Sequence, residues 1–129
     1  MSKNKKTAIL LVDDETEFAS TLAERLNLRD FQASVVTDGE SALAYLAARP
    51  DETDLVLLDV KLPGMDGIEV LRRIREVHAD LPVILLTGQA GTRDGIEGMK
   101  LGAAGYLTKP VELHELLELF ASLGDKHHA

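Results

Sequence analysis

Five residues carry the chemistry that this sequence can do. Asp13 and Asp14 stand side by side, Asp59 ends an apolar run, Thr87 ends another, and Lys109 precedes Pro110. Clustered carboxylates resist ionisation unless a cation joins them. An all-oxygen donor set suits Mg²⁺ (or Mn²⁺), which takes a few carboxylates and keeps several waters. An ammonium can balance the charge of a phosphoryl group, and a hydroxyl can donate a hydrogen bond to it. A carboxylate left over can act as nucleophile and form an aspartyl-phosphate. The chemistry that these residue types could share is phosphoryl transfer.

Such a site exists only if the chain brings the residues together. Short Leu-rich or β-branched runs alternate here with longer segments of helical period. The expected strands are Thr7–Val12, Gln32–Thr37, Asp54–Asp59, Pro82–Thr87 and Gly105–Thr108. The first expected helix carries Phe18, Leu22 and Leu26 on one stripe. The others run from Asp38-Gly39 to about Arg49, from about Asp66 to Val77, from Gly91 to Leu101 with Gly102 as its cap, and from Val111 to Leu123 with Gly124 as its stop. Alternation of this kind implies an α/β fold, a parallel sheet with helices on both faces. In open sheets ligands bind outside the carboxyl ends of the strands. Asp13-Asp14, Asp59, Thr87 and Lys109 all fall at such ends.

Composition sets the limits. The chain has 129 residues, the size of one domain, and its core is expected over about 7–123 with a short tail at either end. It has no cysteine, which excludes disulfides, thiolate metal sites and cysteine nucleophiles. A net charge of −8 argues against phosphate-backbone contacts with nucleic acid. No apolar run approaches the length of a membrane span, so a cytoplasmic location is expected. No second, DNA-reading module is expected within these 129 residues.

The fragments Leu11-Val12-Asp13-Asp14-Glu15, Leu57-Leu58-Asp59-Val60-Lys61-Leu62-Pro63-Gly64-Met65-Asp66-Gly67, Leu86-Thr87-Gly88 and Gly102-Ala103-Ala104-Gly105-Tyr106-Leu107-Thr108-Lys109-Pro110 occur in this order. Together they resemble response-regulator receiver domains of two-component signalling, over about Thr7 to Leu123. The resemblance implies a flavodoxin-like, doubly wound sheet of five parallel strands in the order 2-1-3-4-5, with five helices. It implies that Asp59 accepts a phosphoryl group from a sensor histidine kinase or a histidine phosphotransfer protein. Asp14, Asp59 and the backbone carbonyl of Lys61 would ligate the metal, and Asp13 would act mainly through water. Lys109 and Thr87 would contact the phosphoryl group, and Tyr106 would turn inward as a switch when Thr87 moves. A cis bond between Lys109 and Pro110 is expected. Such a domain is a phosphoacceptor with self-catalysed transfer and slow autodephosphorylation, not an enzyme acting on an outside substrate.

Plainer readings stand beside these. Asp13-Asp14 alone would serve as a helix cap and first-turn acids. Asp66 reads as a helix cap, and Tyr106 as a half-buried strand aromatic. Phe18 and Phe120 read as core, and Glu112, Glu115 and Glu118 as a solvated face. His78 and His114 read as scattered surface residues, and His127 and His128 as tail. Other functions are weighed by single residues. An aspartate-nucleophile phosphatase wants a second aspartate where Lys61 stands. A flavodoxin-type electron carrier wants a Ser/Thr/Gly loop where Asp13-Asp14-Glu15 stands. A degenerate receiver used only as a scaffold would lack one of the five site residues, and none is lacking. Many DNA-binding relatives dimerise through helix four, strand five and helix five by paired charges. Ala104-Gly105 and the lack of Lys or Arg in the last helix before Lys126 leave a monomer as the expectation. Lys61 and Gln89 flank the site, and Gly88 leaves room beside it.

Overall fold

The computed structural model describes residues 6–88 and 93–128. The elements are β1 (Thr7–Val12), α1 (Thr16–Asn27), β2 (Phe31–Val36), α2 (Gly39–Ala48), β3 (Leu55–Asp59), α3 (Gly67–Val77), β4 (Val83–Thr87), α4 (Arg93–Lys100), β5 (Gly105–Thr108) and α5 (Leu113–His128). The strands form one sheet in the order β2-β1-β3-β4-β5, and every neighbouring pair is parallel.

The apolar runs explain why the sheet is buried on both faces. Leu10, Val12, Val56, Leu58, Val83 and Leu85 pack with Ala42, Leu46, Val70, Leu71 and Ile74, from α2 and α3. Ile9, Leu11, Leu55, Leu57, Ile84 and Leu86 pack with Ala19, Leu22, Leu26, Leu116 and Leu123, from α1 and α5. Successive residues of β1, β3 and β4 therefore serve opposite cores, as period-two geometry requires. Phe31 and Phe120 meet edge to face at 5.7 Å and join β2 to α5.

Caps mark the helix ends that the sequence suggested. Asp38 Oδ1 accepts the Ser41 N–H at 2.7 Å, and Asp66 Oδ1 accepts the Glu69 N–H at 2.9 Å. Gly102 has φ +102° and closes α4, with the Ala103 N–H donating to the Gly98 carbonyl. Several boundaries shift by one or two residues, and one shifts by more. β2 begins at Phe31, whose partner is Thr7. α5 does not stop at Gly124 but continues to His128. A glycine ends a helix only when the next residues complete a left-handed cap, and Asp125-Lys126-His127 has no bar to helix. The expected start of α4 at Gly91 lies outside the described residues.

Gly98 has a structural reason. A Cβ there would lie 2.0 Å from Leu85 Cδ1, so α4 sits against the Leu85 side chain, which would have to shift to admit a larger residue. Close packing costs the helix its own stability. Each interior glycine removes about 1 kcal/mol relative to alanine. With Gly95 and Gly98 together, α4 amides should exchange roughly 30-fold faster than those of α1, an opening energy about 2 kcal/mol lower. Native-state hydrogen exchange reads this directly, and equal protection in the two helices would contradict it.

Candidate functional site

The strand register assembles the site. Val12 pairs with Leu58, so the next residues, Asp13 and Asp59, emerge side by side. Alternation carries both to the face of Leu11 and Leu57, toward α1 and α5. Thr87 pairs with Thr108, and the Lys109 N–H donates to the Thr87 carbonyl at 2.7 Å. Lys109 thus enters from the strand beyond Thr87 and reaches back over Asp59. The Lys109-Pro110 bond is cis.

The polar groups are deeply set. Asp13, Asp59 and Thr87 are the buried polar residues among those described. Lys109 Nζ lies 2.8 Å from Asp13 Oδ2 and 3.2 Å from Asp59 Oδ2. It also contacts Glu15 Oε1. The Lys61 N–H donates to Asp59 Oδ1 at 3.1 Å, which folds the loop after β3 over the carboxylate. The Glu15 N–H donates to Asp13 Oδ1 at 2.9 Å. No side chain caps α1, so Asp13 and Asp14 are not its capping residues. Asp66 is a helix cap, far from this role.

Electrostatics follow from burial. Burial raises the Asp59 pKa above the ordinary carboxylate range; the Lys61 N–H opposes this, Asp13 adds to it and Lys109 opposes it. For Lys109 burial disfavours the charge, yet its close contacts with Asp13 and Glu15 and the fields of Asp59 and Asp13 win, and its pKa is raised. The ammonium is held charged by the acids around it.

Carboxylate oxygens of Asp13, Asp14 and Asp59 all lie within 4.8 Å of one another. Asp14 is exposed and faces solvent at the rim. Asp13 Oδ2 has Lys109 as an ion-pair neighbour but no partner with hydrogen-bond geometry. An all-carboxylate set with an under-satisfied buried oxygen fits a hard divalent cation.

Other expected residues fall into place around this centre. Gly88 leaves open space, since a Cβ there meets nothing within 4 Å. Gln89 lies outside the described residues. Tyr106 is 39% exposed on β5. His114, Glu112, Glu115 and Glu118 are exposed. Two residues near Lys109 are given no part in the site by the sequence. Glu15 takes one of its contacts, and the Phe18 ring centroid lies 4.9 Å from Nζ. Phe18 is therefore a wall of the site as well as a core residue.

Comparison with known proteins agrees with this geometry. The family model of the response regulator receiver domain matches residues 9–121. The transcriptional regulatory protein CpxR of Klebsiella pneumoniae is 42% identical over 120 residues, 93% of this chain and 50% of that protein. The sensory transduction protein RegX3 of Mycobacterium tuberculosis is 41% identical over 111 residues, 86% of this chain and 48% of that protein. The chain spans about half the length of these curated relatives. Among solved structures, the non-phosphorylated HemR receiver domain from Leptospira biflexa superposes with a TM-score of 0.81 at 35% identity, covering 91% of this chain and 93% of that one. A CheY-like receiver domain from Methanospirillum hungatei gives 0.87 at 27% identity, covering 96% and 98%. No described helix is long and apolar enough to cross a membrane. A match that runs from β1 into α5, over a sheet of the same order, leads to one assignment: this chain belongs to the receiver-domain family of response regulators.

Proposed function

We propose that Asp59 accepts a phosphoryl group from the phosphohistidine of a sensor kinase or a histidine phosphotransfer protein. The observation that carries the reading is the Lys109 ammonium held on the Asp59 carboxylate at a rim open to solvent. An oxygen of Asp59 forms the bond to phosphorus as the P–N bond of the donor breaks, and the imidazole leaves with a proton. Lys109 offsets the charge on the phosphoryl oxygens, and the Thr87 hydroxyl donates to one of them. Asp14, Asp59 and the Lys61 carbonyl are the residues to hold Mg²⁺ or Mn²⁺, with Asp13 acting through water. Bound there, the ion supplies charge neutralisation of the phosphoryl group.

The product is an acyl phosphate, which slow autodephosphorylation returns to carboxylate. Its readout is a changed surface rather than a chemical product. Tyr106, partly exposed on β5, is the residue to turn inward when Thr87 is drawn to the phosphoryl group. Ile96 and Met99 of α4 and Tyr106 of β5 are exposed, which suits a face read by a downstream protein. CpxR is a transcriptional regulatory protein, and both it and RegX3 are about twice this length. A DNA-binding domain in the same polypeptide is a fitting recipient of the signal, while this domain itself is read as a monomer without direct nucleic-acid contact, in the cytoplasm.

The test uses phosphoramidate, a small donor with a P–N bond, and Mg²⁺, with intact mass as readout. A gain of one phosphoryl unit is expected, and a chelator should prevent it. No gain, from phosphoramidate or from a phosphorylated histidine donor, would refute the reading.

A further inference from the structure

Lys109 has three ammonium N–H donors, and in this structure three carboxylates surround them. Asp13 Oδ2 lies at 2.8 Å, Asp59 Oδ2 at 3.2 Å, and Glu15 Oε1 completes the set. Phe18 closes the remaining side by a cation–π contact at 4.9 Å. Two of the acids, Glu15 and Asp59, accept hydrogen bonds from the ammonium, and Asp13 adds an ion pair, so acids enclose it before any phosphoryl group arrives. A phosphoryl group on Asp59, the premise taken from the proposed function, requires one of those donors.

Resolvation decides which acid yields. The Asp13 side chain is 0% exposed and the Asp59 side chain 8%, whereas Glu15 is 63% exposed. Asp13 Oδ2 has no hydrogen-bond partner, and Lys109 is its ion-pair neighbour. Asp59 carries the phosphoryl group itself. Returning a buried carboxylate to an unpaired state is costly, while an exposed one regains water at little cost. We propose that Glu15 is a displaceable positioning residue: it holds Lys109 at the mouth of the site until phosphoryl oxygens take over its donor. Glu15 then opposes phosphoryl binding twice, by occupying the donor and by like charge.

The size of the effect follows from exposure. An exposed ion pair of this kind contributes a factor of about two to five. The test titrates the full chain with beryllofluoride, a phosphoryl mimic, at saturating Mg²⁺. Glu15→Gln should bind about two- to fivefold more tightly than wild type, and the gain should shrink in high salt. Glu17→Gln, an equal charge change elsewhere on the first turn of α1, should leave affinity unchanged. In metal-free protein the Lys109 Nζ resonance should move in Glu15→Gln and stay put in Glu17→Gln. Equal affinity of wild type and Glu15→Gln, or the same gain in Glu17→Gln, overturns the proposal. A wild type that does not bind beryllofluoride overturns the phosphoacceptor reading, and the proposal with it.

Discussion

Asp59→Asn is expected to abolish phosphoryl uptake and, in metal-free protein, to raise stability. The first effect is complete, because an amide oxygen has no free charge to form the acyl phosphate. The second follows from the environment. Asp59 sits with 5% of its surface exposed and next to the fully buried Asp13. Burial comes first among the causes that raise its pKa. The native protein therefore holds the Asp59 proton where the unfolded chain has lost it. Between the unfolded value of 3.8 and the higher folded value, the native state binds more protons, so stability falls as pH rises. Above the folded value the deficit is constant. Asparagine removes that slope and can still accept the Lys61 N–H. Urea midpoints across this range should coincide for the two proteins at the acid end and separate toward neutrality, with the variant higher. Mg²⁺ should narrow the gap by binding the wild type. A variant that is less stable than wild type at neutral pH without metal would contradict this account.

Gly67→Ala is expected to damage both fold and site. Gly67 opens α3, and its N–H donates to the Val60 carbonyl at 3.0 Å. A Cβ there would lie 2.3 Å from the Asp59 carbonyl oxygen and 2.6 Å from Val60 Cα. Both are backbone atoms, so no rotamer change relieves the clash. Either α3 moves off the sheet or the end of β3 moves, and Asp59 moves with it. Overpacking of this kind costs about 3 kcal/mol. For a domain of this size that lowers the melting temperature by roughly 10 °C. Phosphoryl uptake should fall as well, because Asp59 and Lys109 lose their alignment. Gly88→Ala is the comparison, since open space receives its Cβ. It should change stability by less than about 0.5 kcal/mol. A Gly67→Ala protein with wild-type melting and uptake would show that α3 does not approach β3 as described.

Much of this was readable in the sequence because it depends on local rules. Unbroken apolar runs such as Leu55-Val56-Leu57-Leu58 can only be central strands covered on both faces, and they are. Asp66 and Gly102 announced helix ends through side-chain capping and left-handed backbone. Residues just past strand ends converge in any parallel sheet, so Asp13, Asp59 and Lys109 came together on register alone. What stayed hidden depends on distances across the fold. Glu15 meets Lys109 across 94 positions, and nothing in either neighbourhood encodes the reach of that lysine. Phe18 lies on an apolar stripe, and periodicity cannot tell a core ring from one that also faces an ammonium. Gly98 reads as a helix-weakening residue, and Gly67 as no more than part of a motif, until the closeness of Leu85 and Asp59 gives each a reason. The run of α5 past Gly124 was equally unmarked, because glycine permits a stop without imposing one.

Asp59 is the proposed carrier of the phosphoryl group. Borohydride reduction of the phosphorylated chain, followed by peptide mapping, tests it at the residue. An acyl phosphate on Asp59 is reduced to homoserine at position 59 and nowhere else. Phosphoryl found on serine, threonine or histidine, or homoserine at Asp13 or Asp14, would contradict it.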